Sequence, residues 1–147
     1  MADIGVTGLN HVTLAVGDLD RAVPFYRDVL GLQLRAIWST GAYFEAGSLW
    51  LCLSLDEHAR SEPHPDYTHT AFSVDAKDFG PLSTRIKENA PSWRENRSEG
   101  PSLYFLDPDG HKLEIHVGSL ADRLAHWHAT QSDRAHERET EKHIENS

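Results

Sequence analysis

The sequence predicts an α+β chain built from two copies of one β-α-β-β-β unit, at about residues 8–55 and 67–118. Three observations predict it. Strand-like and helix-like segments recur in the same order in both halves, and the stretch between the halves reads as a loop. The halves also match in letters, His11-Val-Thr-Leu-Ala-Val against His69-Thr-Ala-Phe-Ser-Val and Ala42-Tyr-Phe-Glu against Leu103-Tyr-Phe-Leu. Both matches are offset by about sixty residues, which one internal duplication explains.

The first unit opens with a strand over Leu9 to Val16, rich in β-formers and ending at Gly17-Asp18, where Asp18 can cap a helix. From Asp20 to Leu30 the apolar residues Ala22, Val23, Phe25, Tyr26, Val29 and Leu30 recur at helical spacing, Pro24 falls early, and Gly31 supplies the stop. Three β-like runs follow, Leu32 to Trp38, Ala42 to Ala46 and Leu49 to Leu55, separated by Gly41 and Gly47-Ser48. The charged, proline-bearing stretch Asp56 to Asp66 links the units.

The second unit reads as strand Tyr67 to Val74, helix Asp78 to Asn89, and strands Ser92 to Asn96, Ser102 to Leu106 and His111 to Val117. A last helix over about 119–129 carries Leu120, Leu124 and Trp127 on one face. Residues 131–147 are almost wholly polar and read as a disordered tail outside a single domain of residues 1–130.

A chain of 147 residues suits one domain with its own core. The net charge of −9 excludes a nucleic-acid or anionic-membrane partner, because phosphate binding needs Lys and Arg gathered on one face. The N-terminal segment has neither the basic start nor the apolar run of a secretory signal, and no stretch is long and apolar enough for a membrane span. Cys52 is the only cysteine, so no internal disulfide can form. A cytoplasmic location is expected.

Two such units present curved sheets that can pair around a cleft. His11 opens the first strand, His69 holds the matching place in the second unit, and Glu114 lies in the last strand. Two imidazoles and one carboxylate form a facial ligand set that leaves positions open, suited to manganese or ferrous iron, with zinc also compatible. Against this, a histidine at a strand end is usually polar surface, and ten histidines make chance pairings common. His116 shares the face of Glu114 by period two and is a rival ligand.

The blocks Gly8-Leu-Asn-His-Val-Thr-Leu-Ala-Val, Gly41-Ala-Tyr, Leu49-Trp-Leu-Cys-Leu-Ser, Asp66-Tyr-Thr-His, Asn96-Arg-Ser-Glu-Gly and Tyr104-Phe-Leu-Asp-Pro-Asp-Gly-His-Lys-Leu-Glu-Ile-His-Val-Gly settle more. In order and spacing they resemble the fosfomycin-inactivating, manganese-dependent glutathione transferases of the vicinal-oxygen-chelate superfamily, over roughly residues 7–127. The Asp-Pro-Asp-Gly turn is common across that superfamily. The Asn-Arg-Ser-Glu-Gly loop, Gly-Ala-Tyr and Leu-Trp-Leu-Cys-Leu-Ser are far more specific.

The resemblance implies Mn²⁺ held by His11, His69 and Glu114, with His116 outside the ligand set. It implies that Thr13 bonds the substrate, Arg123 clamps the phosphonate, Tyr104 contacts the substrate, Trp50 and Tyr67 wall the pocket, and Trp38 and Tyr43 line its thiol side. Asn96, Ser98, Glu99, Gly100 and Ser102 match a loop that binds K⁺ as an activator. Fosfomycin and glutathione are the implied substrates. Homodimers with exchanged units are implied too, His11 of one subunit completing the site of the other. Two positions depart from the pattern: Arg94 stands for a lysine, so a fork replaces a point charge near substrate, and Thr70 stands for a tyrosine near the thiol channel. Competing readings are another metalloenzyme of the superfamily, an extradiol dioxygenase or a glyoxalase-like enzyme, and a drug-binding protein without chemistry.

Overall fold

The computed structural model describes residues 4–145. Strand β1 (His11–Val16) is followed by helix α1 (Leu19–Pro24), then β2 (Gln33–Trp38), β3 (Gly41–Ala46) and β4 (Leu49–Leu55). The second unit repeats the order with β5 (Thr70–Ser73), α2 (Ala76–Asn89), β6 (Ser92–Arg94), β7 (Ser102–Leu106) and β8 (Lys112–His116), and α3 (Leu120–Glu145) ends the chain. The sheets have equivalent topologies, β1-β4-β3-β2 and β5-β8-β7-β6. In each, the first strand runs parallel to the last and the other pairs are antiparallel.

Alternation along the strands sets one face of each sheet against a shared core. Val16, Leu51, Leu53, Ala42 and Phe44 of the first sheet and Phe105, Leu113 and Ile115 of the second are buried with Val23, Phe25, Tyr26 and Ile86 from the helices. The opposite faces hold the candidate site residues.

The first helix departs from the expected Asp20-to-Leu30 span. Asp18 caps it as predicted, accepting from the Asp20 amide at 2.9 Å, but after Pro24 the chain widens into a π-helical turn, Phe25–Val29. Proline contributes no amide donor, so regular α-helical bonding is interrupted there. The wider turn keeps Phe25 and Tyr26 in the core.

The last helix also runs on, to Glu145 rather than stopping near residue 129. No glycine or proline follows Gly118, and Glu and Arg recur in the extension, so propensity favours helix. Residues 146 and 147 of the expected tail lie outside the described residues.

The Asp-Pro-Asp-Gly turn joins the two units. Asp107 Oδ1 accepts from the Asp109 and His111 amides at 2.9 and 2.8 Å, and its Oδ2 accepts from the Tyr26 hydroxyl at 2.5 Å. Asp109 Oδ1 accepts from the Gly17 amide and the Arg21 guanidinium, both at 2.8 Å, and His111 Nε2 donates to the Ala15 carbonyl at 2.7 Å. Gly110 closes the turn at φ +83°, and a Cβ there would lie 3.0 Å from the backbone of residues 61–63.

Burial pushes the Asp107 carboxyl up, and the Tyr26 hydroxyl bond is the largest influence opposing it. An acid raised in the folded state stabilises the fold fully below its unfolded value, and that contribution is lost as pH rises through the folded value. Tyr26→Phe removes the opposing bond and leaves Oδ2 unpaired. A loss of about 1–3 kcal/mol is expected while Asp107 is ionised, and a smaller loss as falling pH protonates it. Urea unfolding of both proteins at pH 7 and pH 4.5 checks this; equal losses at the two pH values would refute the linkage.

Candidate functional site

Period two in β8 sends Leu113 and Ile115 into the core and Glu114 and His116 to the other face. Across the sheet Glu114 pairs with Tyr104 and with Ala71, and His116 pairs with Ser102 and with Ser73. His69 lies one residue ahead of β5, two before Ala71, and its Nε2 is 3.0 Å from Glu114 Oε1. The expected strand from Tyr67 is thus shorter, but the histidine still reaches the carboxylate.

The tautomer of His69 is informative. Its Nδ1 lies 3.0 Å from the Tyr67 carbonyl, which can only accept, so Nδ1 carries a proton. Nε2 is then the nitrogen turned to the Glu114 carboxylate, 3.0 Å from Oε1, where a proton or a metal ion can bridge the two. His11 is prepared in the same way, with Nδ1 2.6 Å from Asn10 Oδ1. An imidazole whose Nδ1–H is tied to a carbonyl oxygen is oriented for metal binding through Nε2, and this donor set fits Mn²⁺.

Glu114 is buried, and Ser102 is buried with it. Ser102 Oγ lies 2.6 Å from Glu114 Oε2 and 2.5 Å from His116 Nδ1. Around His69 stands an aromatic wall of Tyr67, Trp93 and Tyr104, at ring-centroid distances of 4.9, 5.4 and 5.9 Å. The Arg94 guanidinium lies over the Tyr67 and Tyr104 rings, 4.7 and 5.3 Å from their centroids. The positive charge is shelved against two π faces beside the carboxylate.

The loop of residues 96–102 closes over the end of this face. Asn96 Nδ2 donates to the Gly100 carbonyl at 2.9 Å, and Asn96 Oδ1 accepts from the Ser98 amide and hydroxyl at 2.9 and 2.7 Å. Arg123, at the start of α3, places Nε 4.0 Å from Glu99 Oε2. The loop and the arginine are therefore neighbours.

The remaining candidates gather on the outer face of the first sheet. His11 stacks on Trp50 at 4.6 Å and 11°, its partner in register across β1 and β4. Thr13 and Cys52 are the next register pair on that face, and Tyr43 pairs with Cys52 on the other side. Trp38 meets Tyr43 edge-on at 4.8 Å and crowds Gly41, where a Cβ would lie 2.4 Å from the indole. Trp38, Tyr43 and Trp50 are each about 40% exposed: 41%, 42% and 38%.

The two groups do not merge within one chain. Among the described residues, no three His, Cys, Asp or Glu side chains are close enough to hold a metal ion. Between the sheets, Val12, Leu51, Thr70 and Phe72 line an open cavity of about 560 Å³, which Trp50 and His69 also border.

The sequence profile of the Glyoxalase/Bleomycin resistance protein/Dioxygenase superfamily matches residues 8–115. The chain belongs to this superfamily. It is 58% identical over 120 residues to glutathione transferase FosA of Serratia marcescens, covering 80% of this chain and 85% of that protein. It is 40% identical over 127 residues to metallothiol transferase FosB of Staphylococcus epidermidis, covering 83% and 91%. Among solved structures, the fosfomycin resistance protein FosX of Listeria monocytogenes, in complex with Mn(II) and sulfate, superposes with a TM-score of 0.70 at 29% identity. That match covers 84% of this chain and 99% of FosX.

Sequence reasoning does not single out Trp93, which a register shift between Ser92 and Arg94 brings to Tyr104 together with Arg94. Its indole donates to the Leu113 carbonyl at 2.9 Å. Nothing in the sequence marks that bulge. His116 is a rival ligand by periodicity and outside the ligand set by resemblance, and its link to Glu114 through Ser102 needs the register between β7 and β8.

Proposed function

We propose that this protein is a Mn²⁺-dependent thiol transferase that adds glutathione to the epoxide of fosfomycin, and so confers resistance to the antibiotic. The observation that carries the reading is the 58% identity to glutathione transferase FosA over most of the chain. The paired His69 and Glu114, with His69 Nε2 turned to the carboxylate, support it from the structure.

In this reading His69 and Glu114 of one subunit and His11 of the other hold the metal. Bound there, it supplies Lewis acidity at the epoxide oxygen as negative charge develops. Arg94 and Arg123 neutralise the phosphonate, Arg123 as a planar fork. Thr13 and Tyr104 offer hydroxyl bonds to the substrate. The thiolate sulfur attacks the less hindered epoxide carbon opposite the C–O bond; the S–C bond forms, the C–O bond breaks with its electron pair, and the oxygen then takes a proton. Trp38, Tyr43, Trp50 and Tyr67 border the thiol's approach, and the exposed Tyr43 phenol can bond the thiolate and lower its proton affinity.

Unit exchange between subunits is part of the proposal. Three large aromatic residues exposed on one sheet face are unusual for a free surface and suit a face covered by a second copy. A cytoplasmic reaction is part of the proposal. Among the described residues no helix is long and apolar enough to cross a membrane.

The direct test is mass analysis of fosfomycin incubated with the protein, Mn²⁺ and a panel of thiols. The expected product has the summed mass of fosfomycin and glutathione, and unmodified fosfomycin with every thiol overturns the reading. In the same assay, replacing sodium by potassium should raise turnover or substrate affinity, with Asn96, Ser98, Glu99, Gly100 and Ser102 as the oxygen donors. Ser98→Ala with Glu99→Ala should blunt that response. Identical rates in both buffers would remove the loop's role.

A further inference from the structure

We infer that His116 is a positioning residue that acts through Ser102 to fix the Glu114 carboxylate for metal binding. The inference rests on the proposed role of Glu114 as a ligand, and it follows from counting protons. Ser102 Oγ lies 2.6 Å from Glu114 Oε2, and the hydroxyl has one hydrogen, which must point at the carboxylate because a carboxylate can only accept. Ser102 Oγ is then an acceptor towards its other neighbours. Ser98 Oγ, 3.4 Å away, directs its own hydrogen to Asn96 Oδ1 at 2.7 Å. His116 Nδ1, at 2.5 Å, is left as the donor, so the ring carries its proton there.

The result is a directed chain, His116 Nδ1–H to Ser102 Oγ–H to Glu114 Oε2. It occupies the carboxylate oxygen turned away from His69 and leaves Oε1, 3.0 Å from His69 Nε2, for the metal. The chain needs all three residues on one face, which the register supplies by pairing Ser102 with His116 and Tyr104 with Glu114. The His116 ring is itself hemmed in: a Cβ on Gly118 would lie 3.1 Å from Nε2, and one on Gly100 would lie 3.4 Å from Cε1. Without His116, the Ser102 hydroxyl is free to turn towards other acceptors and Glu114 loses its fixed rotamer. Outer partners of this kind typically set metal affinity by about 10–100-fold.

The experiment is titration of the full-length protein with Mn²⁺, following free metal by electron paramagnetic resonance, for the parent and for His116→Ala, His116→Asn, Ser102→Ala, His116→Ala/Ser102→Ala and Glu114→Ala. His116→Ala is expected to weaken Mn²⁺ about 10–100-fold. His116→Asn, which keeps a donor near the Nδ1 position, should recover most of that loss. The double variant should be no weaker than Ser102→Ala, because His116 Nδ1 is 3.6 Å from Glu114 Oε2, beyond hydrogen-bond reach, and its link to the carboxylate runs through the serine. Unchanged affinity in His116→Ala overturns the inference, as does equal weakening by Asn and Ala. Melting of the metal-free variants identifies a merely structural role, in which the melting point falls and the Mn²⁺ affinity does not. Retained binding in Glu114→Ala would instead sink the ligand assignment on which the inference rests.

Discussion

Glu114→Ala is expected to lose essentially all Mn²⁺-dependent turnover at limiting metal, and Mn²⁺ affinity with it. Three protein ligands leave none to spare, and loss of a direct ligand should exceed the roughly 100-fold ceiling typical of outer partners. The side chain is buried and holds Ser102 at 2.6 Å, so the alanine variant also strands a hydroxyl. Glu114→Gln separates these effects: the amide carbonyl still accepts from Ser102, while the anionic charge is gone. Both variants should be deficient in kcat/KM measured against Mn²⁺ concentration, and His69→Ala should match them. Full activity in Glu114→Ala would sink the assignment.

The second large effect is a rescue. His11→Ala and Glu114→Ala proteins should each be inactive alone, yet regain activity when mixed under conditions of subunit exchange. If His11 completes the partner's site, a heterodimer of the two carries one site with every ligand and one with both defects. Random exchange of equal amounts makes half of the dimers mixed, so about a quarter of all sites are intact, against none before mixing. Recovery near that level, in proportion to heterodimer separated by charge or tag, is the expected result. No recovery despite proven exchange would mean that sites are built within one chain.

Much of the fold was legible because the duplication repeats its signals. Period two in β1 and β8 places Thr13 on the face of His11 and His116 on the face of Glu114, and the strand register keeps both pairs together. The illegible features share one cause, since each depends on a partner distant in sequence or on a local break in periodicity. The π-helical turn after Pro24 and the bulge at Ser92 to Arg94 shift the phase of the pattern, and phase is what sequence reading relies on. The helix to Glu145 is illegible for another reason, because beyond residue 129 the sequence offers no apolar face from which periodicity could be read. At the site, spacing could nominate His69 and Glu114 but not show Nε2 turned to the carboxylate, because that orientation depends on the Tyr67 carbonyl.

The turn at Asp107 to Gly110 holds the units of each chain together through Tyr26, Arg21, Gly17 and Ala15. If the site is built as proposed, from the His11 face of one braced chain and the Glu114 face of another, its activity is subject to mass action. Well below the dimer dissociation constant, halving the protein should leave about a quarter of the dimers. Specific activity would decline on dilution, and the protection a cell gains would rise with about the square of its expression level until dimers saturate.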